Sequence, residues 1–176
     1  EMAKSNGYDV EGIEISKYAV SYCKHTAGLK VVQGDFIKLD YSNPVYEVIA
    51  FWYFIEHIKN FREILRKAKK ILREGGIIAL STPNCNGISS KKNIYEYSSK
   101  IPVDHYNEFS PASMKKLLEE EGFKVEKIVS SGIHYNRWLG SRTNFLLKNR
   151  ISKKIYYFFA KIFNLGDTFE IYARKY

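Results

Sequence analysis

Cysteine, proline and long apolar runs are all scarce in this chain of 176 residues. Its two cysteines, Cys23 and Cys85, are too few and too far apart for a disulfide framework or a metal knuckle, so we expect reduced thiols and a cytoplasmic location. No uninterrupted apolar run reaches the roughly 18 to 20 residues that a membrane-spanning helix needs. Hydrophobic residues still make up 45% of the chain, which is enough for the core of one globular domain.

Acidic residues are missing from one long region. The chain has 28 Lys and Arg against 19 Asp and Glu, and none of the acidic residues falls between Glu126 and Asp167. This gap holds a basic, aromatic stretch at residues 138–163, inside a predicted insertion at about 131–166. The stretch is interpreted first as a helix packed on the domain as a lid, and second as an amphipathic helix on an anionic membrane surface. Stacking of its aromatic residues on single-stranded nucleic acid is the least expected alternative.

Hydrophobic periodicity predicts strands that alternate with helices in the first half of the chain. The predicted strands are short apolar runs at residues 8–15, 29–33, 45–55 and 77–81. Helical periodicity follows Ser16, which is a good N-cap, and Asn60, where we expect the helix to end at Gly75 and Gly76. This alternation is typical of βαβ units, so we predict an α/β fold with a Rossmann-like parallel sheet and helices on both faces.

The sequence of the second half indicates a long irregular stretch followed by four further elements. Residues 82–109 are rich in Ser, Lys and Tyr and carry no clear period. Ser110 and Pro111 are typical of a helix start. The other predicted elements are a strand at 124–129, a helical apolar stripe at 155–162 and a final strand at 168–174.

Acidic residues follow two successive predicted strands. In open parallel sheets, ligands bind beyond the carboxyl ends of the strands. Glu14 in that position can accept two hydrogen bonds from a ribose diol, and Asp35 can accept one from an adenine amino group beside the ring of Phe36. Each acid alone is more consistent with a solvated loop residue, but the pair at successive strand ends favours a nucleoside ligand.

Several ordered segments resemble the motifs of class I S-adenosylmethionine-dependent methyltransferases. The similarity is greatest to the branch of ubiquinone-type O-methyltransferases and their small-molecule and glycan-pathway relatives. It runs from about residue 8 to residue 129, and LGDTFEIYARKY at 165–176 resembles the family's last, antiparallel strand. The matching segments are GIEIS (12–16), VVQGDF (31–36), WYFIEHI (52–58), ILREGGIIALSTPN (71–84) and HYNEFSPASMKKLLEEEGF (105–123).

The resemblance implies S-adenosyl-L-methionine as the cofactor and a single methyltransferase domain over residues 1–176. It implies that Glu14 holds the ribose hydroxyls, with Ile15 packed on adenine. It also implies that Asp35 and Phe36 contact the adenine edge. The implied neighbours of the methionine moiety are Phe51 and Trp52.

Three further residues are the implied catalytic groups. Glu56 and His57 match an acidic–histidine pair beside the reaction centre, and His105 lies in a segment that usually faces the substrate. Methyl transfer from a sulfonium is an in-line displacement, in which a histidine can take the proton of a hydroxyl acceptor. Glu56 is open to three roles: orienting a histidine, binding a metal with it, or capping the next helix. We predict no metal site, because one carboxylate and one imidazole are too few ligands.

The sequence departs from the family pattern at its start. The family begins with a strand and a glycine-rich loop about one βα unit before the position of Glu14, whereas only thirteen residues precede it here and none forms a GxGxG pattern. We therefore expect a further N-terminal strand and helix in the natural protein. The predicted activity is methyl transfer to a hydroxyl oxygen of a small or lipid- or glycan-linked acceptor. The alternatives are a degenerate, non-catalytic binding protein, or a membrane- or RNA-associated module that uses the basic segment.

Overall fold

The fold is described by a computed structural model that covers residues 1–41, 45–132 and 150–176. Its internal contacts divide it into two units, Glu1–Ser42 and Asn43–Tyr176. Each unit has its own sheet, so each is described by itself. The prediction of one domain over residues 1–176 stays a prediction.

The first unit is a small βαβ arrangement. Its strands β1 and β2 are parallel, with Glu14 opposite Gln33. Ser16 caps the intervening helix, as predicted, because its hydroxyl accepts a hydrogen bond from the backbone N–H of Ala19 at 3.3 Å. Gly28 follows the helix with a φ of +61°, a conformation that glycine adopts without steric cost. The elements are α1 (Met2–Ser5), β1 (Glu11–Glu14), α2 (Lys17–His25) and β2 (Lys30–Gln33).

The second unit is built on a four-stranded mixed sheet in the order β3-β4-β6-β5. β3 and β4 are parallel, and β6 is antiparallel to both β4 and β5. The predicted α/β class and the antiparallel final strand are therefore confirmed. The elements are β3 (Tyr46–Trp52), a 3₁₀ helix (Ile55–His57), α3 (Phe61–Ile71), β4 (Leu72–Pro83), α4 (Ile88–Lys92), α5 (Ile94–Ser98), α6 (Pro111–Glu120), β5 (Phe123–Ser131), α7 (Arg150–Ile162) and β6 (Thr168–Lys175).

The core of the second unit lies between this sheet and the helices α3 and α6. The apolar stripes of both helices are buried, and the sheet contributes side chains with no exposed surface. α6 begins as the sequence predicts: Ser110 Oγ accepts from Ser113 N at 3.1 Å, and Ser113 Oγ accepts from Ser110 N at 2.9 Å. The most deeply buried residues include Leu65, Ile78, Leu80, Met114, Leu118, Phe169 and Ile171.

Several predicted boundaries are wrong. The strand predicted at 45–55 ends at Trp52, and a 3₁₀ helix at Ile55–His57 follows it. Helix α3 ends at Ile71, and Leu72 already has an extended backbone that begins β4. Gly75 has a φ of +74° inside the strand, where the register between β3 and β4 shifts, so this glycine forms an irregularity of the strand instead of a helix C-cap. The supposedly irregular stretch at 82–109 contains the short helices α4 and α5.

Candidate functional site

The carboxyl end of the small parallel sheet carries both predicted nucleoside-binding acids. Glu14 Oε1 accepts a hydrogen bond from Ser16 N at 2.7 Å, and Asp35 Oδ1 accepts one from Ile37 N at 2.9 Å. The side chain of Asp35 is 40% exposed, with Lys38 Nζ 4.0 Å from its other oxygen. Because β1 and β2 are parallel, both carboxylates lie at one edge of this sheet, each oriented by a backbone N–H. This arrangement suits a ligand that offers hydroxyl and amino donors.

The apolar residues beside these acids differ in exposure. Ile15 is 73% exposed, so its side chain is accessible to a planar base. Phe36 is buried, and its ring centroid lies 6.2 Å from that of Tyr41. The Phe36 side chain therefore belongs to the small core of the first unit, and its contact with adenine stays a prediction.

The end of β3 in the second unit carries Phe51 and Trp52. Phe51 is buried and stacks on Phe54 with ring centroids 5.3 Å apart, whereas Trp52 is about half exposed. Tyr53 follows with a φ of +50°, in the left-handed region that residues with a side chain rarely adopt. Its N–H donates to Ser81 O at 2.8 Å, which holds this turn to β4. Such strain is common where a chain must present functional groups, and Glu56 and His57 follow three and four residues after Tyr53.

Glu56, His57 and His105 lie together in the second unit, and we call them the Glu-His-His cluster. Each offers one ligand atom, and these atoms lie within 4.8 Å of one another. The two imidazole rings meet nearly at right angles, with centroids 4.6 Å apart. Glu56 is only 1% exposed: Oε2 accepts from Thr82 Oγ1 at 3.1 Å, and Oε1 has no hydrogen-bond partner among the described residues. The structure thus brings together the three residues that the sequence proposed as catalytic.

Backbone hydrogen bonds join the two segments that carry this cluster. The carbonyl of Glu56 accepts from Tyr106 N at 2.9 Å and from Asn107 N at 3.2 Å. The side-chain amide of Asn107 donates to Ile58 O at 2.8 Å. The short 3₁₀ helix and residues 104–108 are therefore fixed to each other although they are far apart in sequence.

A second layer of carboxylates surrounds the histidines. His57 Nδ1 lies 3.1 Å from Asp104 Oδ2, and His105 Nδ1 lies 3.4 Å from Glu108 Oε1. Tyr97 donates its hydroxyl proton to the other oxygen of Glu108 at 2.5 Å. Burial and this hydrogen bond raise the pKa of Tyr97, so the phenol keeps its proton at neutral pH.

A cavity of about 520 Å³ lies beside the cluster. His105 and Glu108 belong to its wall, and the lining mixes apolar groups with charged ones of both signs. Its volume is in the range of small-molecule sites. The lining residues are Pro83, Ser89, Lys92, Asn93, Glu96, Tyr97, Lys100, Ile101, Pro102, His105, Glu108, Asp167 and Thr168.

Sequence reasoning missed the groups that orient the histidines. Asp104 is the direct neighbour of His105 in sequence but contacts His57 in space, and no local pattern indicates this. Glu108 was detectable, because a histidine and a carboxylate three residues apart are often paired. Thr82 lies in the matching segment at 71–84 and Tyr97 in a variable segment expected to contact the acceptor, but neither was predicted as a site residue.

The thiols and the basic segment add little to this site. Burial, together with nearby Glu108, raises the pKa of Cys85, which suits an unreactive thiol.

Helix α7 contains the predicted apolar stripe, and Phe158 and Ile162 are more than half exposed. Residues 138–149 of the proposed membrane-binding stretch lie outside the described residues, so this contact stays a prediction. Among the described residues, no helix has both the length and the apolarity needed to cross a bilayer.

The fold and the site define an α/β protein with carboxylates at successive strand ends and an acid–histidine cluster. Comparison with known families agrees with this class: the profile of a family described as "Methyltransferase domain" matches residues 1–128. The chain belongs to this methyltransferase domain family, as its sequence motifs predict. The family and the fold imply S-adenosyl-L-methionine as the cofactor.

The comparison with curated proteins gives a relative whose reaction is named. A ubiquinone biosynthesis O-methyltransferase of Aliivibrio fischeri is 26% identical over 147 aligned positions, which cover 77% of this chain and 62% of the relative. The chain thus spans about three fifths of the length of this curated relative.

Solved structures extend the comparison. A SAM-dependent methyltransferase from Archaeoglobus fulgidus matches with a TM-score of 0.70 at 21% identity, covering 99% of this chain and 79% of that one. A possible histamine N-methyltransferase from Thermotoga maritima matches with a TM-score of 0.68 at 15% identity, covering 99% and 76%. At such identities these structures establish the fold alone.

Proposed function

We propose that this protein transfers the methyl group of S-adenosylmethionine to a hydroxyl oxygen of a small or lipid- or glycan-linked acceptor. The observation that carries the proposal is the Glu-His-His cluster beside a cavity of about 520 Å³. Membership of the methyltransferase domain family supports the reaction class. The O-methyltransferase from Aliivibrio fischeri supports oxygen as the acceptor atom.

The proposed cofactor contacts start from the two acids of the first unit. Glu14 and Asp35 each keep part of a carboxylate accessible at one edge of the small sheet. In this proposal Glu14 accepts hydrogen bonds from the ribose hydroxyls, Asp35 accepts one from the adenine amino group, and Ile15 covers the base. Phe51 and Trp52 remain the proposed neighbours of the methionine moiety. When bound, the cofactor supplies an activated methyl group on sulfur, so no covalent intermediate on the protein is needed.

The proposed acceptor lies in the cavity of the second unit, with its hydroxyl toward the histidines. The carboxylates of Asp104 and Glu108 favour the tautomers of His57 and His105 that carry the proton on Nδ1. The lone pair of Nε2 is then available to take the hydroxyl proton as the oxygen attacks the methyl carbon. Lys92 and Lys100, which line the same cavity, suit an acceptor that also carries a negative group.

Methyl-labelled S-adenosylmethionine tests this function. The labelled cofactor is offered with matched panels of phenols, sugars, isoprenoid alcohols and primary amines, and the products are identified by mass spectrometry. We expect labelled methoxy products from one hydroxyl class. His105→Gln should lower turnover by about 10²- to 10⁴-fold without changing the Kd of the cofactor, because a general base acts only on the acceptor.

The control variant is His25→Gln. His25 lies at the end of helix α2 and takes no part in the cluster, so its replacement should leave turnover unchanged. Methylated amines in the absence of methoxy products would contradict the oxygen assignment. Cofactor binding with no transfer to any acceptor would favour the non-catalytic alternative.

A further inference from the structure

We propose that Glu56, His57 and His105 bind one divalent transition-metal ion of the Zn²⁺ type. Two imidazoles and one carboxylate are the ligand set of many mononuclear catalytic metal sites, which leave a further position open. From sequence alone only Glu56 and His57 could be paired, and two ligands are too few. The fold supplies the third ligand, His105, from a segment 48 positions further along the chain.

The first observation is the state of Glu56. Its side chain is buried, and one oxygen is already fixed by the hydroxyl of Thr82. The other oxygen is buried and has no hydrogen-bond partner among the described residues. An unpartnered buried carboxylate oxygen costs free energy unless a proton or a cation satisfies it. One oxygen of this carboxylate and one nitrogen of each of the two imidazoles lie within 4.8 Å of one another.

The second observation is the pairing of both histidines with outer carboxylates. A metal-bound histidine almost always donates its other ring N–H to a carboxylate or carbonyl, which fixes the tautomer and the ring orientation. Asp104 is placed in this way for His57, and Glu108 for His105. Tyr97 in turn holds Glu108 through a hydrogen bond of 2.5 Å. The site therefore has both an inner set of ligands and an outer set that orients them.

The third observation is geometric. Bonds of about 2.0 to 2.2 Å place two ligands of one tetrahedral ion about 3.3 to 3.6 Å apart. The ligand atoms of the cluster lie within 4.8 Å of one another, so the side chains need to close on the ion by roughly 1 Å. The backbone bonds from Tyr106 and Asn107 to Glu56 hold the two segments at this separation.

The site suits a borderline transition metal better than Mg²⁺ or Ca²⁺. Those hard cations prefer sets of oxygen ligands, whereas two of the three donors here are imidazole nitrogens. His105 also lines the cavity, so an ion bound here would act as a Lewis acid next to an acceptor hydroxyl. With the ion bound, the Nε2 lone pairs of His57 and His105 would be its ligands, so the ion would replace the histidines as the group that activates the hydroxyl. This catalytic role rests on the proposed function, but metal binding itself does not.

Cobalt(II) titration of the chelator-treated full chain tests the proposal directly, because Co²⁺ replaces Zn²⁺ and absorbs visible light. We expect one Co²⁺ per chain, displaced by Zn²⁺. Glu56→Gln, His57→Gln and His105→Gln should each weaken binding by at least about 100-fold. Asp104→Asn should weaken it by about 10- to 100-fold, since it removes only an orienting group. Glu56→Gln keeps an acceptor for Thr82, and circular dichroism will show that each variant is folded.

The control is again His25→Gln, which should bind Co²⁺ like the unaltered protein. Absence of stoichiometric binding, or equal binding by the His105→Gln and control variants, would overturn the proposal. If no ion binds while methyl transfer proceeds, the metal proposal fails and the proposed function stands. If an ion binds through these residues but no methyl group is transferred, the metal site stands and the proposed function fails.

Discussion

The two units of this protein use carboxylates in opposite ways. In Glu1–Ser42, Glu14 and Asp35 are partly exposed and oriented by backbone N–H groups. In Asn43–Tyr176, Glu56 is almost fully buried and has one unpartnered oxygen. An exposed acid can exchange water for the hydroxyl groups of a ligand at low cost, whereas a buried acid interacts strongly with any cation nearby. The same residue type is thus suited to recognition in one unit and to chemistry in the other.

The first unit also buries its apolar side chains less completely than the second unit does. The buried apolar residues of the first unit are Val20, Val31 and Phe36, each still 7 to 8% exposed. The second unit buries many side chains completely, including Leu65 and Leu80. The Glu-His-His cluster lies beside this core, because Ile55, next to Glu56, has no exposed surface and Phe109 is only 6% exposed.

The largest expected effect compares one isoleucine in each sheet. Ile78 in β4 has no exposed surface, so Ile78→Ala should lower the free energy of unfolding by about 2 to 5 kcal/mol. Ile13 in β1 is only partly buried, so Ile13→Ala should cost distinctly less. Urea denaturation followed by circular dichroism measures both. Equal losses would mean that the two sheets are packed alike, contrary to this comparison.

The affinity for the cofactor should depend on the partly exposed acids of the first unit and not on the buried Glu56. Glu14→Ala and Asp35→Ala should each weaken S-adenosylmethionine binding by about 1 to 3 kcal/mol, because each removes charge-assisted hydrogen bonds to the ligand. Glu56→Gln should leave this affinity unchanged, since Glu56 is assigned to the acceptor side. Isothermal titration calorimetry measures all three variants. Unaltered affinity in both Glu14→Ala and Asp35→Ala, made in the full-length natural protein, would remove the nucleoside assignment.

The smallest expected effect concerns the two serine caps. Ser110 has a reciprocal hydrogen-bonded partner in Ser113, whereas Ser16 makes a single bond of 3.3 Å. Ser110→Ala should cost about 1 to 2 kcal/mol of stability and Ser16→Ala about 0.5 to 1 kcal/mol. Thermal unfolding of the two variants checks the order. A larger loss for Ser16→Ala would show that the first unit depends more on its helix start than its packing indicates.

The sequence could predict the features of this structure that depend on residues close together in the chain. Ser16 and Ser110 cap helices within a few residues of themselves, and Glu14 and Asp35 follow strands that can be recognised from short apolar runs. Leu72 shows the limit: its apolar side chain is buried whether it ends a helix or begins a strand, so periodicity alone could not place the boundary.

The cluster shows a second limit. His57 and His105 were each singled out separately, but their contact depends on a pairing of distant segments. No spacing within either segment predicts that Asp104 faces His57. Local sequence therefore identified the chemical groups of the site, whereas tertiary hydrogen bonds decide which of them meet.

The backbone bonds from Tyr106 and Asn107 to the carbonyl of Glu56 have a consequence for access. Residues 104–108 cannot swing outward as a flap without breaking these bonds and separating the two histidines. The wall of the cavity also contains Lys92 of α4 and Tyr97 of α5, so the reactive groups stay in place while side chains of these two short helices face the acceptor. Exchanging those side chains is therefore the direct way to change which molecules are accepted.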